Sequence, residues 1–158
     1  MVQAGNVNSG SFDPFPEICR RAREAGAWVH VDGAFGLWAR ASRELRHLTE
    51  SDLADSWAVD AHKWLNVPYD SAFYACRDLQ AAIDIFALNA PYLVSGERLA
   101  PSYFTPELSR RARGIEVWAA LKHIGRDGLE SLINDCCRHA RRFAQALANA
   151  AMRSSMRW

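Results

Sequence analysis

Residues 27–36 read AWVHVDGAFG, and the pattern of this segment is the main indication of the fold. Its first five residues are mostly apolar, which predicts a short buried strand. The strand ends in an acid, Asp32, followed by the small residues Gly33 and Ala34. In open α/β sheets ligands bind just beyond the carboxyl ends of the strands, so the acid stands where a ligand is expected. The alternative is that Asp32 only caps a turn or a helix.

The segment before this strand predicts a helix that follows a loop. Residues 1–12 are rich in glycine, asparagine and serine, which is typical of a loop that leaves a strand. Asp13 is a candidate N-cap with Pro14 in the first helical position, and Gly26 is expected to end the helix. The order strand, loop, helix, strand is the unit of a parallel α/β sheet.

A second stretch, residues 60–66, reads DAHKWLN and contains Lys63. Of the 19 lysines and arginines in the chain, only Lys63 and Lys122 are lysines. Arginine stays protonated and is a poor nucleophile, whereas a desolvated lysine can lose its proton and attack a carbonyl carbon. Trp64 and Leu65 are expected to form an apolar wall beside the amine. The alternative is a surface lysine next to a tryptophan of the core.

Together, Asp32 and Lys63 indicate one kind of cofactor. The 31 positions that separate them leave room for a crossover and a further strand. Pyridoxal phosphate forms a Schiff base with a lysine amine, and a carboxylate that pairs with its ring nitrogen keeps the ring an electron sink. The two residues therefore predict a pyridoxal phosphate site.

Five motifs follow one another along the chain: GNVNSGSFDP (5–14), HVDGA (30–34), ADS (54–56), DAHKW (60–64) and LSRRARG (108–114). In this order they resemble the group II pyridoxal-phosphate-dependent amino-acid decarboxylases, which include the aromatic-amino-acid and glutamate decarboxylases. The likeness runs from about residue 5 to about residue 147. It is specific for the family and not for one substrate.

The resemblance implies an α/β fold that is part of the large domain of a fold-type I pyridoxal-phosphate-dependent transferase, with a mostly parallel sheet flanked by helices. Family members are usually several hundred residues long, with the lysine past the middle. Residues 1–148 are therefore expected to be the C-terminal portion of the cofactor-binding large domain. Residues 149–158 do not resemble the family's continuation and are interpreted as an atypical tail from a frameshift or an early stop.

The resemblance also implies a role for each motif residue. Lys63 would be the catalytic residue and hold pyridoxal phosphate as an internal aldimine. Asp32 would pair with the ring nitrogen, and Ala34 would pack against the ring. His62 matches a position that helps to hold cofactor or substrate, and Asp60 matches one near the phosphate. The family more often has asparagine where Asp60 stands, and an acid there would repel a phosphate dianion.

Two positions depart from the family pattern. Val7 stands at about the position of the family's threonine near the phenolic oxygen of the cofactor, and valine cannot form that hydrogen bond. Asn6 or Asn8 is the candidate replacement. A family loop that covers the substrate carries a catalytic tyrosine, for which Tyr103 is the nearest candidate and Tyr92 another. Tyr103 lies slightly closer to the arginine pair of the last motif than in the family, and packing or solvent exposure is the alternative.

The rest of the chain predicts further elements of an α/β fold. A short helix is expected around residues 42–48, strands over 56–59 and 71–76, and a long loop over 87–106. The family places the strand at 71–76 antiparallel at the sheet edge.

Two helices are predicted near the end of the chain, one from Thr105 to Gly125 and one capped by Asp127. Each has apolar residues at helical spacing, which predicts a buried stripe. The first stripe is Leu108, Ala112, Ile115, Trp118, Ala119 and Leu121, and the second is Leu129, Leu132, Ile133, Cys136, Ala140, Phe143, Ala144 and Leu147.

Composition limits the partners and the compartment. A net charge of +1 favours neither nucleic acid nor an anionic membrane, and no apolar run of 18 residues predicts a membrane span. The four cysteines have no disulfide or zinc spacing, which predicts reduced thiols in a cytoplasmic protein, and no metal site is expected. The expected partners are an amino-acid substrate and, for the full-length family, the second subunit of a homodimer.

Three functional classes stay open. The first is an amino-acid decarboxylase, a carboxy-lyase, or a piece of one. The second is another fold-type I enzyme, such as an aminotransferase or a different lyase. The third is a truncated product that catalyses nothing. The histidine before Lys63 and the tryptophan after it favour the first class over the second, and the length of the chain favours the third for the isolated 158 residues.

Overall fold

The structure, a computed structural model, describes residues 1–87 and 100–155, with side chains as far as residue 151. Its strands are β1 (Val2–Gln3), β2 (His30–Asp32), β3 (Ser56–Asp60) and β4 (Ala72–Cys76). Its α-helices are α1 (Phe15–Glu24), α2 (Leu79–Phe86) and α3 (Gly114–Ser155). Short 3-10 helices span Leu37–Ala41, Arg46–Thr49 and Pro101–Phe104.

The four described strands form one sheet in the order β1-β2-β3-β4. β1, β2 and β3 are parallel, and β4 pairs antiparallel with β3 at the edge. Asp32 and Asp60 are the last residues of β2 and β3, so both carboxylates lie at the same edge of the sheet. The predicted α/β fold is confirmed, as are a strand before Lys63 and the antiparallel edge strand. The strand that delivers Asp32 is present but begins at His30 and not at Ala27, and Trp28 is 51% exposed.

The helix α1 ends in a turn that the sequence predicted at Gly26. Gly26 has a φ of +66°, which glycine adopts at little cost. Its N–H donates to the carbonyl of Arg23 at 3.1 Å, and the N–H of Ala27 donates to that of Ala22 at 2.8 Å. This pair of bonds is the Schellman pattern, which satisfies the last carbonyls of a helix. It turns the chain from α1 towards β2.

The start of α1 differs from the prediction. Pro14 is the N-cap residue and makes no side-chain cap bond, so Asp13 is not the cap. The carboxylate of Asp13 instead accepts a hydrogen bond from the backbone N–H of Gln3 at 2.7 Å. Asp13 therefore ties the entry of α1 to β1, a long-range contact that local helix signals do not show.

Two clusters of buried apolar residues hold the layers together. The first joins β1, β2 and α1, and consists of Val2, Ala4, Phe15, Cys19, Val29, Val31 and Ala54. The second joins β3 to α3, and consists of Trp38, Val59, Ala61, Leu65, Val67 and Ile133. Ile133 is fully buried, and burying such a side chain stabilises the fold by roughly 1.5–3 kcal/mol. Trp38 also donates to the carbonyl of Asp60 at 2.9 Å, which fixes the end of β3.

The predicted helix from Thr105 begins later, at Gly114. The arginine-rich residues before it form ion pairs instead of helical turns. Arg113 bonds to Asp70 at 2.9 Å, and Arg111 contacts Glu116 at 3.3 Å. Gly125, with a φ of +66°, interrupts α3 at the predicted stop. Residues 42–48 likewise form no α-helix: residues 42–45 lie between two 3-10 helices, and residues 46–48 belong to the second of them.

The predicted stripes on α3 are only partly buried. Val117, Ala120, Leu121 and Ile124 pack against the second cluster. The first stripe was therefore right at Leu121 but wrong for Ile115 and Trp118, which are 64% and 65% exposed. The second stripe was right at Leu129 and Ile133 but wrong for Phe143 and Leu147, which are exposed because nothing in the described residues packs there. Among the helices of the described residues, none has the length and apolar character to cross a bilayer.

Candidate active site

The polar side chains at the carboxyl ends of β2 and β3 share one face of the sheet. The strand register pairs Gln3 with Asp32 and Asp32 with Ala58, and paired residues in a sheet point to the same side. Asp60 lies two positions after Ala58 and therefore projects from this side too. Lys63 follows three residues later, just beyond the strand. The two acids and the lysine that the sequence singled out are thus brought to one edge.

Asp32 is held by neutral donors. Its Oδ1 accepts a hydrogen bond from the backbone N–H of Ala34 at 3.1 Å, and its Oδ2 accepts one from Nε2 of Gln3 at 3.4 Å. No lysine, arginine or histidine of the described residues forms an ion pair with Asp32. A carboxylate offers about four acceptor positions, so Asp32 can take a further, positively charged partner.

Asp60 is surrounded by cations and potential cations. Its Oδ2 lies 2.7 Å from Nζ of Lys63, and the two side chains are 23% and 27% exposed. The same oxygen lies 3.6 Å from Nε2 of His62. The Lys63 amine also lies 3.7 Å from the centre of the Phe35 ring, within cation–π distance.

The apolar neighbour of the Lys63 amine differs from the prediction. Leu65 is buried in the second cluster, and Trp64 packs against that cluster. The aromatic ring beside the amine comes instead from Phe35, in the turn after β2. The signal was present in the sequence, because Phe35 belongs to the stretch that delivers Asp32.

The orientation of His62 is fixed from behind. Its Nδ1 lies 2.8 Å from the carbonyl oxygen of Ser71, and its ring lies 4.4 Å from that of Tyr69. A carbonyl only accepts hydrogen bonds, so Nδ1 carries a proton and Nε2 faces Asp60. The neutral ring can therefore accept a proton only at Nε2, on the side of the site.

The turn that holds His62 is braced by Arg113. The guanidinium forms a forked pair with Asp70, at 2.9 Å and 3.3 Å, and the backbone carbonyl of Arg113 accepts from Oγ of Ser71 at 3.3 Å. The side-chain hydrogen bond that the Arg113 guanidinium donates to Asp70 holds the pKa of Asp70 below its ordinary value. Arg113 belongs to the LSRRARG motif, which explains how that distant segment supports the site.

Two loops meet closely behind Asp32. The N–H of Gly36, after β2, donates to the carbonyl of Ala4, after β1, at 2.8 Å. A Cβ at Gly36 would lie 2.6 Å from that carbonyl oxygen, so only glycine fits. The contact fixes the loop after β1 next to the turn that carries Ala34 and Phe35.

Of the weaker candidates, only Asn6 is connected to the central group among the described residues. Asn8 and Val7 are exposed, whereas Asn6 is half-buried and donates through Nδ2 to Oε1 of Gln3 at 2.8 Å. Tyr103 lies in the Pro101–Phe104 3-10 helix, and no hydrogen bond or ring contact of the described residues joins it to Lys63 or Asp32. Tyr92 lies outside the described residues.

Sequence reasoning missed three residues that contact the site. Phe35 and Ser71 stood inside or beside predicted elements and could have been found there. Gln3 gave no signal, because a lone glutamine in a polar loop looks like any solvated residue. Its place next to Asp32 follows only from the pairing of β1 with β2.

The donor set fits pyridoxal phosphate. The group requires an amine for attachment and an anion for its ring nitrogen. Lys63 supplies the amine, and the uncompensated charge of Asp32 supplies the anion. Within the described residues no group of three or more histidine, cysteine, aspartate or glutamate side chains is arranged to hold a metal ion.

Comparison with known proteins supports the same cofactor. The model of the pyridoxal-dependent decarboxylase conserved domain matches residues 1–155. The chain is 34% identical over 146 residues to 4-hydroxyphenylacetaldehyde synthase from Rhodiola rosea, covering 91% of this chain and 30% of that protein. It is 31% identical to an aromatic-L-amino-acid decarboxylase from Drosophila lebanonensis, covering 92% and 37%. It is 33% identical to an aspartate 1-decarboxylase from Aliivibrio fischeri, covering 91% and 26%.

The fold agrees with the sequence comparison. The crystal structure of the Rhodiola rosea synthase superposes with a TM-score of 0.81 at 32% identity, covering 94% of this chain and 30% of that one. The chain therefore spans about a third of the length of the curated relatives it matches.

Proposed function

We propose, because this chain belongs to the pyridoxal-dependent decarboxylase family, that it forms the cofactor-anchoring part of an enzyme that removes the carboxylate of an amino acid as carbon dioxide. Pyridoxal phosphate is the cofactor of this family. The observation that carries the proposal is the placement of Asp32 and Lys63 at one edge of two adjacent parallel strands. One offers an uncompensated negative charge, and the other offers an amine.

Each of these residues has a defined task. Lys63 would hold the cofactor through Nζ, and Asp32 would hold its ring nitrogen protonated. When bound, the cofactor supplies an electron sink for the electron pair that departing carbon dioxide leaves behind. Ala34 would leave space for the flat ring, because its side chain is only a methyl group. Its backbone N–H is bonded to Asp32 and so holds this residue beside the acid.

Lys63 needs to lose a proton before its nitrogen can act as a nucleophile. Oδ2 of Asp60, at 2.7 Å, is positioned to accept that proton or to hold the ammonium in place. The Phe35 ring covers one side of the amine and limits its exposure to water. Asp60 would also lie near the phosphate, where its charge opposes binding unless Lys63 or His62 compensates it.

His62 would present Nε2 to the site while Ser71 retains the proton on Nδ1. It is the one imidazole of the described residues whose ring lies within 4 Å of Asp60. It can therefore hold a substrate or cofactor oxygen as a donor when protonated, or accept a proton when neutral. Tyr103 remains a candidate for the catalytic tyrosine of the substrate-covering loop, and Asn8 a weak candidate for the cofactor.

The substrate is proposed only as a class. The relatives named above act, by their names, on aromatic amino acids or on aspartate. None of the residues that would anchor the cofactor distinguishes these side chains, since their proposed contacts are with the cofactor and not with the side chain of the substrate. A cytoplasmic location and a homodimer also stay predictions.

We also propose that residues 1–158 alone are not a competent enzyme. The face of the sheet that carries Asp32 also carries Tyr74, which is 42% exposed, and Trp118, Phe143 and Leu147 on α3 are more than 60% exposed. Exposed apolar surface on this scale is typical of an interface that another segment or subunit covers. Poor solubility and little cooperative unfolding are expected for the isolated residues.

The test is an assay of carbon dioxide and product from tyrosine, tryptophan, DOPA, glutamate, aspartate and diaminobutyrate. It is run on residues 1–158 with pyridoxal phosphate and on the intact protein that contains them. We expect an amine from the intact protein and nothing from residues 1–158. Turnover by a monodisperse preparation of the 158 residues would refute the second proposal.

The product identifies the reaction. An amine formed with one carbon dioxide per turnover supports decarboxylation. A keto acid formed without carbon dioxide would show that the reaction is transamination instead. An aldehyde is a third outcome that the Rhodiola rosea relative, named an aldehyde synthase, makes worth measuring. It would keep the loss of carbon dioxide but change the fate of the amine.

A further inference from the structure

Three side chains form a relay that ends on Asp32. Asn6 lies in the loop after β1, Gln3 lies in β1, and Asp32 ends the neighbouring strand β2. Nδ2 of Asn6 is 2.8 Å from Oε1 of Gln3, and Nε2 of Gln3 is 3.4 Å from Oδ2 of Asp32. All three side chains are half-buried. Gln3 has no other role in the site, and Asn6 is otherwise only a candidate partner of the cofactor's phenolic oxygen.

The direction of this relay follows from chemistry. Oδ1 of Asn6 accepts from the backbone N–H groups of Asn8 and Ser9, at 3.0 Å and 3.1 Å. Backbone N–H groups only donate, so the atom that faces them has to be the oxygen, and the nitrogen faces Gln3. Gln3 then presents its oxygen to Asn6 and its nitrogen to Asp32. The Asp32 carboxylate only accepts, so the loop after β1 and Asp32 require the same orientation of the Gln3 amide.

We propose that Gln3 is a positioning residue for Asp32, and that Asn6 fixes its orientation so that a donor always faces the carboxylate. This inference rests on the proposed function, because it concerns the carboxylate that would pair with the ring nitrogen. A donor on Oδ2 stabilises the ionised carboxylate, and so keeps the proton of the pair on the nitrogen rather than on the acid. It also restricts rotation of the carboxylate, together with the N–H of Ala34 on Oδ1.

The test reads the ring nitrogen directly. The intact holoenzyme is loaded with pyridoxal phosphate labelled with 15N in the ring, and the 15N chemical shift is recorded at fixed pH. Gln3→Leu is expected to move the signal part of the way towards the unprotonated value. Turnover is expected to fall about three- to tenfold, the usual effect of one hydrogen bond. The matched control is Gln80→Leu, which removes a glutamine–aspartate bond of 2.7 Å on exposed α2.

A second variant tests the relay without touching Gln3. Asn6→Asp keeps the oxygen that accepts from the loop and replaces Nδ2 by an acceptor. Gln3 would then lie between two acceptors, and its nitrogen would be divided between residue 6 and Asp32. We expect a 15N shift in the same direction as that of Gln3→Leu and no larger, and no further shift when the two changes are combined. An effect of the new charge through space would instead add to that of Gln3→Leu.

Asp32→Asn distinguishes a failure of the relay from a failure of the proposed role of Asp32. If it leaves the 15N signal unchanged, Asp32 does not hold the ring nitrogen and the proposed function of that residue fails. If it shifts the signal but Gln3→Leu and Asn6→Asp both leave it at the wild-type position, the relay is overturned while the role of Asp32 stands. A Gln3→Leu variant that does not fold leaves the decision to Asn6→Asp, whose loop contacts are retained.

Discussion

Asp32 and Asp60 end neighbouring parallel strands on the same face of the sheet, yet their surroundings are opposite. Asp32 contacts two neutral donors, the N–H of Ala34 and the amide of Gln3. Asp60 contacts the Lys63 ammonium at 2.7 Å, with His62 at 3.6 Å. The charge of the Asp32 carboxylate is available to a ligand, whereas that of Asp60 is compensated by Lys63 within the protein. The end of a strand therefore sets the position of each acid, and the neighbouring side chains determine whether its charge is available to a ligand.

The largest effect, on covalent attachment of the cofactor, is expected when the Lys63 amine beside Asp60 is replaced. Lys63→Arg keeps the positive charge beside Asp60, but a guanidinium does not form the covalent link that holds the cofactor. Borohydride reduction in the presence of pyridoxal phosphate is expected to label the peptide that contains Lys63, and the variant is expected to lose all label. Lys122→Arg, at the only other lysine, is the control and keeps it. Label on Lys122 in the wild type would contradict the assignment.

The next effect concerns the uncompensated acid. Asp32→Asn keeps the shape and the acceptor oxygen but removes the charge that would face the ring nitrogen. Removing a preorganised electrostatic group commonly lowers kcat by about 100- to 1,000-fold, and at least that loss is expected in the intact enzyme. Cofactor retention, read from absorbance, should change little. A kcat near that of the wild type would remove Asp32 from the mechanism.

Sequence alone placed both acids correctly, because short apolar runs that end in an acid are local signals. The runs before Asp32 and Asp60 end in strands, as their composition predicts, although Val31 and Val59 are the only residues of β2 and β3 that are buried and not half-buried. Their different surroundings could not be predicted in the same way. Gln3 meets Asp32 through strand pairing, and Phe35 meets Lys63 through the packing of a turn. Both contacts join residues that are about 30 positions apart, and helical or strand periodicity does not predict contacts over that separation.

The errors on α3 have the same origin. Residues 108–113 have apolar positions at helical spacing, but Arg113 bonds to Asp70, 43 positions away, and holds this segment out of the helix. The stripe on α3 was assigned from spacing, which shows that a face is apolar but not what covers it. Phe143 continues the pattern of Ile133 and is nevertheless 72% exposed in the described structure.

A smaller effect is expected from the compensated acid. Asp60→Asn keeps an oxygen near Lys63 but removes the negative charge, so it weakens the hold on the ammonium and the repulsion of a phosphate dianion. Pyridoxal phosphate is expected to bind about three- to tenfold more tightly, and kcat to fall by less than about tenfold. Asp52→Asn, which removes an ion pair with Arg40 outside the site, is the matched control. Weaker binding in Asp60→Asn would show that the acid contributes to holding the cofactor.

The smallest effect lies behind His62, at the exposed pair of Asp70 and Arg113. The hydrogen bond from Arg113 lowers the pKa of Asp70, so the folded protein favours the ionised acid. The contribution to stability is therefore fully present above the ordinary aspartate pKa of about 4, and is lost as pH falls through the lower folded pKa. In the intact protein, Asp70→Asn is expected to melt slightly below the wild type at pH 7 and together with it at the acid end of this window.

The same variant reports on the site through His62. The turn that Asp70 anchors carries the Ser71 carbonyl, which holds Nδ1 of His62 at 2.8 Å. Loosening the turn should therefore move the ring proton signals of His62 in the NMR spectrum, an effect that exposure does not weaken. Asp135→Asn, which removes an ion pair with Arg138 on α3, should leave those signals in place. Unchanged His62 signals in Asp70→Asn would mean that the Ser71 carbonyl keeps its position without the ion pair, and that Arg113 is not a support of the site.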